Sequence, residues 1–305
     1  MTLNVKILGS NAASFAHNRH HTSQLLQIQD QYFLIDCGEA TQLQLKKYGA
    51  KISKIDHIVI SHLHGDHFYG LIGLLSTMHL YGRTKELVLI GPPGLAEIIT
   101  IQLRYSETRL NFHIDFHEWA PDQVETVIDH QKFTVSTIPL DHRIPCSGYL
   151  FKEKPKRRRI DKEKIDRKLT PIQLKQLKDG EDVVDEDGNL LFKNREVTMD
   201  PARQFSYAYC SDTAYKPDII PIIEDADILY HEATFMEDMK DRAHQTYHST
   251  ATEAATIARE AKAGQLLIGH FSTRYKNLSP VLEEARKTFE HTELAKEGTL
   301  FMVKK

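Results

Sequence analysis

Six consecutive residues, His62-Leu63-His64-Gly65-Asp66-His67, place four potential metal ligands directly behind the apolar run at 58–60. Imidazole nitrogens and carboxylates are the donors that borderline divalent ions such as zinc take. No other stretch of the chain is as dense in them. In an extended segment His62 and His64, two residues apart, share a face and can grip one ion. Gly65 permits a tight change of direction, and the apolar spacing of Phe68, Leu71, Ile72, Leu74 and Leu75 predicts a helix starting near Asp66. Asp66 and His67 then point toward a second ion. A lone histidine is ordinarily a satisfied core or surface residue; three of them with an aspartate in six positions reverse that weighting.

With 305 residues the chain is long enough to bury a substantial core, and without a Pro/Gly/Ser-rich linker it reads as one large domain, 1–305. A net charge of -3 argues neither for nor against a nucleic-acid partner. Cys37, Cys146 and Cys210 are widely spaced and odd in number, so neither a disulfide framework nor a cysteine zinc site is expected, and a reducing compartment fits. The chain opens into a strand-like segment at 4–8 with no secretion signal, and no run approaches the roughly 20 apolar residues of a membrane span. The expectation is a soluble, cytoplasmic protein with no membrane partner.

Strand-like runs occur at 5–8, 25–28 and 32–36, followed by a helical stretch at 40–48. A strand at 87–90 ends at Gly91-Pro92-Pro93-Gly94, which leads into an apolar helix at 95–103. Strands then dominate to residue 151. The last third alternates strands near 205–210, 228–230, 265–268 and 299–303 with helices at 251–261 and 280–290. Two halves that each mix strands and helices predict an α/β architecture of packed sheets with helices outside. The stretch 152–200 stands apart, poor in large apolar residues and expected to lie outside the core. Its first part, 152–168, carries a charge of +6 and includes Lys156-Arg157-Arg158-Arg159, whereas 169–200 carries -4. It reads either as a solvated insertion or as a basic arm holding a phosphate backbone.

A pair of metals needs more ligands than one loop supplies. His142, Asp212 and His270 each lie just past a predicted strand end, where side chains from separate strands converge. Each alone is an ordinary surface polar residue; together they complete two sites of three to four ligands.

This set resembles the dinuclear zinc set of the metallo-β-lactamase superfamily. Three further stretches, His231-Glu232-Ala233-Thr234-Phe235, His248-Ser249-Thr250 and Gly269-His270-Phe271-Ser272-Thr273-Arg274-Tyr275, resemble its ribonuclease Z branch in particular. The likeness runs over nearly the whole chain. It implies a metallo-β-lactamase-like αβ/βα sandwich, two packed mixed sheets with outer helices, and an inserted protruding arm at 152–200 that contacts tRNA. It implies two Zn2+ per subunit, one held by His62, His64 and His142, the other by Asp66, His67 and His270, with Asp212 bridging. Water acidified between the ions would attack a phosphodiester, with Asp66 as proton acceptor. His248, held by Glu232, would protonate the leaving 3′ oxygen. Arg274 and Ser272 would hold substrate phosphate or ribose, and Lys156, Arg157, Arg158 and Arg159 the distant tRNA surface.

Each role has a plainer alternative. His248 precedes a capping box between Ser249 or Thr250 and Glu253, and its place at a helix start serves either purpose. His231 reads as support behind the metal ligands, and His17, His20 and His21 as loop histidines. Two departures from the family are visible: Leu169-Thr170-Pro171-Ile172-Gln173-Leu174 stands where many members have a Gly-Pro element, and Ser211 precedes Asp212 where a glycine is usual. The expected function is a zinc-dependent endoribonuclease that removes 3′ trailers from precursor tRNA, working as a homodimer. The rival within hydrolases is a small-molecule phosphodiesterase or arylsulfatase-like enzyme on the same fold. A rival of another class, an RNA-binding module with structural metals, sits poorly with a ligand set that leaves room for water.

Overall fold

The computed structural model describes residues 3–185 and 187–303. Its strands are β1 (Leu3–Gly9), β2 (Ser23–Ile28), β3 (Gln31–Ile35), β4 (Ile55–Val59), β5 (Leu87–Gly91), β6 (Ile114–Glu118), β7 (Thr126–Asp129), β8 (Phe133–Pro139), β9 (Ser147–Glu153), β10 (Arg159–Ile160), β11 (Val183–Val184), β12 (Leu190–Phe192), β13 (Thr198–Met199), β14 (Ser206–Cys210), β15 (Ile228–Glu232), β16 (Leu266–Gly269), β17 (Thr292–Leu294) and β18 (Leu300–Met302). One seven-stranded sheet has the order β18-β1-β2-β3-β4-β5-β6, and the other β17-β16-β15-β14-β9-β8-β7. Each is mixed: β3 to β6 and β14 to β17 run parallel within their sheets, while β1, β2, β18 and β7 to β9 supply antiparallel pairings.

Three apolar clusters explain why the sheets stack. Leu3, Val5, Phe33 and Val59 from the first sheet meet Phe133, Phe151, Tyr207 and Tyr230 from the second in a fully buried middle layer. Leu34, Ile58 and Leu89, which alternate with those residues along their strands, face the other way onto Leu71, Leu74, Leu75 and Ile99 of the outer helices. Ala208, Leu229 and Ile268 do the same for the second sheet against the alanine-rich helix Ala251–Glu260. Strands buried on both faces require this continuous apolar character, and the helix–sheet–sheet–helix layering is the metallo-β-lactamase architecture expected from the sequence. Polar links also cross the middle layer. Trp119 donates from Nε1 to the Tyr149 hydroxyl (2.9 Å), which donates in turn to the Ile60 carbonyl (2.6 Å).

Residues Glu153–Gln204 form a separate compact unit. Contrary to the expectation for 152–200, it has an apolar centre of its own, in which Leu177, Val183, Phe192 and Val197 are buried with Ile160, Ile165, Leu169 and Leu191 packed around them. The spacing escapes a reading of the sequence because these residues come from short strands and two short helices, none long enough to show a period. The helix Pro171–Asp179 occupies the stretch lacking a Gly-Pro pair; Thr170 and Gln173 form its capping box, and Pro171 fits its first turn, where no amide donor is needed. The charge asymmetry is folded against itself. Arg157 pairs with Asp179 (3.0 Å), Arg158 with Asp200 (2.6 Å) and Lys156 with Glu153, while Arg159 sits exposed in β10.

His57 in β4 stacks on Phe33 with ring centroids 4.5 Å apart, and its Nδ1 is buried without a hydrogen-bond partner among the described residues. Burial lowers its pKa to about 4. The folded protein therefore refuses a proton that the unfolded chain accepts near pH 6.5, so His57 withdraws stability as pH falls from 6.5 toward 4. His57→Phe should flatten the acid side of the stability profile over that window, as read by denaturant midpoints at pH 7, 5.5 and 4.5. An unchanged profile would contradict this.

Candidate metal centre

The expected ligands converge at the ends of β4, β8, β14 and β16. The loop after β4 carries His62 and His64, the helix Gly65–Phe68 presents Asp66 and His67, and the segments after β8, β14 and β16 bring His142, Asp212 and His270. His64 Nδ1 lies 3.1 Å from both His62 Nε2 and His142 Nε2. On the other side, His67 Nε2 and His270 Nε2 are 3.3 Å apart, and Asp66 Oδ2 is 3.3 Å from His270 and 3.5 Å from His67. Two nitrogens bound tetrahedrally to one zinc at its usual bond length are separated by about 3.3 Å, so both spacings match a shared ion.

Asp212 joins the two groups. Its Oδ2 faces His62 (3.7 Å) and His142 (3.9 Å), while its Oδ1 faces His67 (3.4 Å) and His270 (3.2 Å). That Oδ1 is buried and makes no hydrogen bond among the described residues. A buried carboxylate oxygen surrounded by imidazole nitrogens yet bonded to none of them is oriented for a cation. The donor set and the unpaired oxygen both fit two divalent ions. His62, His64, His142 and Asp212 form one group, and Asp66, His67 and His270 another, with Asp212 also within reach of His248 and His270.

Charge balance supports the same reading. Burial holds His62, His64 and His142 below their ordinary pKa, in the neutral form that binds metal. At His67 burial also opposes charge, but Asp212, Asp66 and Asp36 outweigh it and raise the pKa well above normal. Burial would raise the Asp66 carboxyl, yet His67 and His270 hold it far below the usual carboxylate range. Without a cation, histidine protons are what neutralise the carboxylates here.

The imidazoles are fixed from behind by residues the sequence reading overlooked. Asp36 Oδ2 accepts from His67 Nδ1 (2.8 Å), from the Tyr209 hydroxyl (2.6 Å) and from the Ser61 hydroxyl (2.9 Å), and its Oδ1 accepts from the Ser61 amide (2.7 Å). Thr234 Oγ1 lies 2.9 Å from His270 Nδ1, and the Tyr247 carbonyl accepts from His142 Nδ1 at 3.0 Å. These bonds leave Nε2 of His67, His142 and His270 directed inward. A signal for Asp36 existed: it is an acid at a predicted strand end, the rule that found Asp212. Ser211, in place of the usual glycine, has no left-handed backbone and uses its hydroxyl to reach Ser61 (3.0 Å).

Gly65 corrects an expectation. Its φ is not positive, and it opens a regular helical turn. What requires glycine is space, because a Cβ there would lie 2.3 Å from Cε2 of the Tyr69 ring.

Glu232 is wholly buried at the end of β15, where it accepts from the amides of Thr213 (3.2 Å), Thr234 (2.9 Å) and Ser249 (3.0 Å) and from His248 Nδ1 (2.9 Å). Burial opposes a charged His248, but Glu232 prevails and raises its pKa to about 9. The capping box of the following helix belongs to Thr250 and Glu253, which leaves His248 free of that duty. His231 bonds the Glu232 carbonyl through Nδ1 (2.7 Å), and its Nε2 is buried without a partner among the described residues.

A cavity of about 670 Å³ opens over the ligands. Ser272 and Arg274 line it as expected, and so do His21, Tyr69, Arg143 and Arg242, for which no role was foreseen. His17 instead bonds the Thr273 carbonyl (2.8 Å) and His20 pairs with Glu297 (3.1 Å). Lys156 to Arg159 lie in the Glu153–Gln204 unit.

Among known proteins, a ribonuclease Z of Cytophaga hutchinsonii is 50% identical over 303 residues, 99% of this chain and 97% of that protein. The chain belongs to the ribonuclease Z family. A ribonuclease Z of Bacteroides fragilis is 45% identical over 96% of each chain, and the crystal structure of human tRNase Z, short form, superposes with a TM-score of 0.72 at 27% identity, covering 99% of this chain and 100% of that one. Residues 3–155 also match a family model described as Anti-Pycsar protein Apyc1. That stretch holds the His62–His67 motif and His142 but ends before Asp212, His248 and His270. As a ribonuclease Z family member, the chain is a metal-dependent endoribonuclease of the metallo-β-lactamase fold.

Asp36→Asn removes the charge behind His67 while keeping the side chain's shape. Affinity for added Zn2+ should fall about 10- to 100-fold, measured by competition with a chromophoric chelator. Wild-type affinity in a folded variant would show that Asp36 does not support the centre.

Proposed function

We propose that this ribonuclease removes 3′ trailers from precursor tRNA, using two zinc ions and leaving a 3′ hydroxyl on the tRNA. The observation that carries the proposal is that His248, bonded from behind by the buried Glu232, lines the cavity together with Asp66, His64, Asp212 and His270. On this reading it would set a proton donor beside the metal ligands, in a chain 50% identical to a ribonuclease Z. When bound, the ions would supply Lewis acidity toward a phosphoryl oxygen and a water acidified to a pKa near about 7.

His62, His64 and His142 would hold one ion, Asp66, His67 and His270 the other, and Asp212 both. Asp66, fixed by the Ala13 amide (2.8 Å), would also orient the attacking water and take up its proton. His248, kept protonated by Glu232, would give its proton to the departing 3′ oxygen as the P–O bond breaks. Ser272 and Arg274 would hold phosphate or ribose next to that bond. The unit Glu153–Gln204, with Lys156, Arg157, Arg158 and Arg159, would bind tRNA away from the cut. Working as a homodimer in the cytoplasm is part of the same proposal and rests on the family likeness; in the structure, no helix among the described residues is long and apolar enough to cross a membrane.

Zinc-loaded protein incubated with a 3′-extended precursor tRNA should make a single cut next to the discriminator nucleotide, abolished by chelator and by His64→Ala. An intact precursor alongside rapid hydrolysis of bis(p-nitrophenyl) phosphate would instead favour a small-molecule phosphodiesterase. Removing residues 153–204 should raise KM for the precursor strongly and spare bis(p-nitrophenyl) phosphate. Equal losses on both substrates would mean that this unit serves folding and not tRNA.

A further inference from the structure

Tyr69 is 67% exposed, although it lies three residues from Asp66 and lines the cavity over the ligands. Its ring is held in place. The backbone of Gly65 lies against it so closely that a Cβ at that position would stand 2.3, 2.5 and 2.8 Å from Cε2, Cδ2 and Cζ. The Phe68 ring packs beside it, with centroids 5.0 Å apart and planes inclined at 60°. Its amide donates to the Gly65 carbonyl (3.0 Å), and its backbone angles are helical, so the side chain projects from a regular turn. One side of the ring is thus occupied by the protein while most of the residue faces solvent beside the metal centre. Burial in the core explains none of this.

We propose that Tyr69 is a base-stacking platform for one of the two nucleotides flanking the bond that is cut. The inference rests on the ribonuclease reading above and deepens it. Every base has a π-face, so an aromatic ring holds bases without choosing among them, as an enzyme acting on many tRNAs requires. A ring already fixed by Gly65 and Phe68 loses little freedom when a base settles on it. Arg143, Arg242 and Arg274, from three different segments, line the same cavity and supply cations for the adjoining phosphates. The glycine of the metal-binding motif acquires a second purpose: its missing side chain leaves room for this ring.

The test is stopped-flow fluorescence with zinc-loaded protein and precursor tRNAs carrying 2-aminopurine on the 5′ or the 3′ side of the scissile bond. Wild-type protein should quench one of the two probes before cleavage. Tyr69→Ala and Tyr69→Leu should lose that quench, with kcat/KM for the precursor lowered roughly 5- to 150-fold. Tyr69→Phe and Tyr69→Trp should retain both. Equal quenching by wild type and Tyr69→Ala, in protein that still cuts the precursor, would overturn the platform while leaving the ribonuclease intact. So would a change in oligomeric state in Tyr69→Ala, which would make the ring a contact between subunits. Failure of the wild type to bind or cut either precursor would instead overturn the reading on which the platform rests.

Discussion

A single buried carboxylate underlies the geometry of this centre. Asp36 is inaccessible to solvent and receives hydrogen bonds from His67, Tyr209 and both donors of Ser61. An isolated charge in such a place would cost several kcal/mol, so each donor is obligatory. The four bonds tie together the end of β3, the loop after β4, the helix bearing His67 and the middle of β14. The two sheets are thereby locked in one relative position beneath the metal ligands. Asp36 adopts a left-handed backbone (φ 54°), a conformation that aspartate tolerates better than most residues and that persists where the surroundings dictate it. His270, a ligand candidate in the opposite sheet, does the same (φ 58°). Local strain on both sides of the centre is offset by the network that joins them.

The charges of the centre are arranged by depth. Carboxylates of Asp36, Asp66 and Asp212 surround His67, whereas His62, His64 and His142 are kept neutral chiefly by burial. The His67 side of the site thus gathers three carboxylates, whereas the side of His62, His64 and His142 shares only Asp212, although both are built mainly of imidazole. At the rim, Glu232 holds His248 protonated near neutral pH. A protonated imidazole and three neutral ones coexist in one cluster because a separate buried carboxylate, Glu232, governs the first.

In the Glu153–Gln204 unit, charge and fold interact differently. A run of four cations looks like an exposed patch when read along the chain, yet three of them meet acids of the same unit. These partners are 3 to 42 residues away, at distances a linear reading does not weigh. The buried centre of the unit was illegible for a related reason: Leu177, Val183, Phe192 and Val197 come from elements too short to carry a periodic signal.

The convergence of the candidate ligands was legible. Metal-binding chemistry is a property of side-chain type, and parallel strands in a layered fold deliver their ends to one place, so His62, His64, Asp66, His67, His142, Asp212 and His270 could be chosen from composition and strand ends. The alternation of apolar residues likewise determined the two sheets and their helical covers. Only the tertiary structure decided which nitrogen each imidazole presents and which residues stand behind them. Asp36 and Tyr209 lie 173 positions apart, and Thr234 and His270 lie 36 apart. Such partnerships depend on through-space approach between sheets or between neighbouring strands, for which no spacing rule in one chain exists. The reason for Gly65 is of the same kind, since it lies in the position of a neighbouring ring and not in the angle of its own backbone.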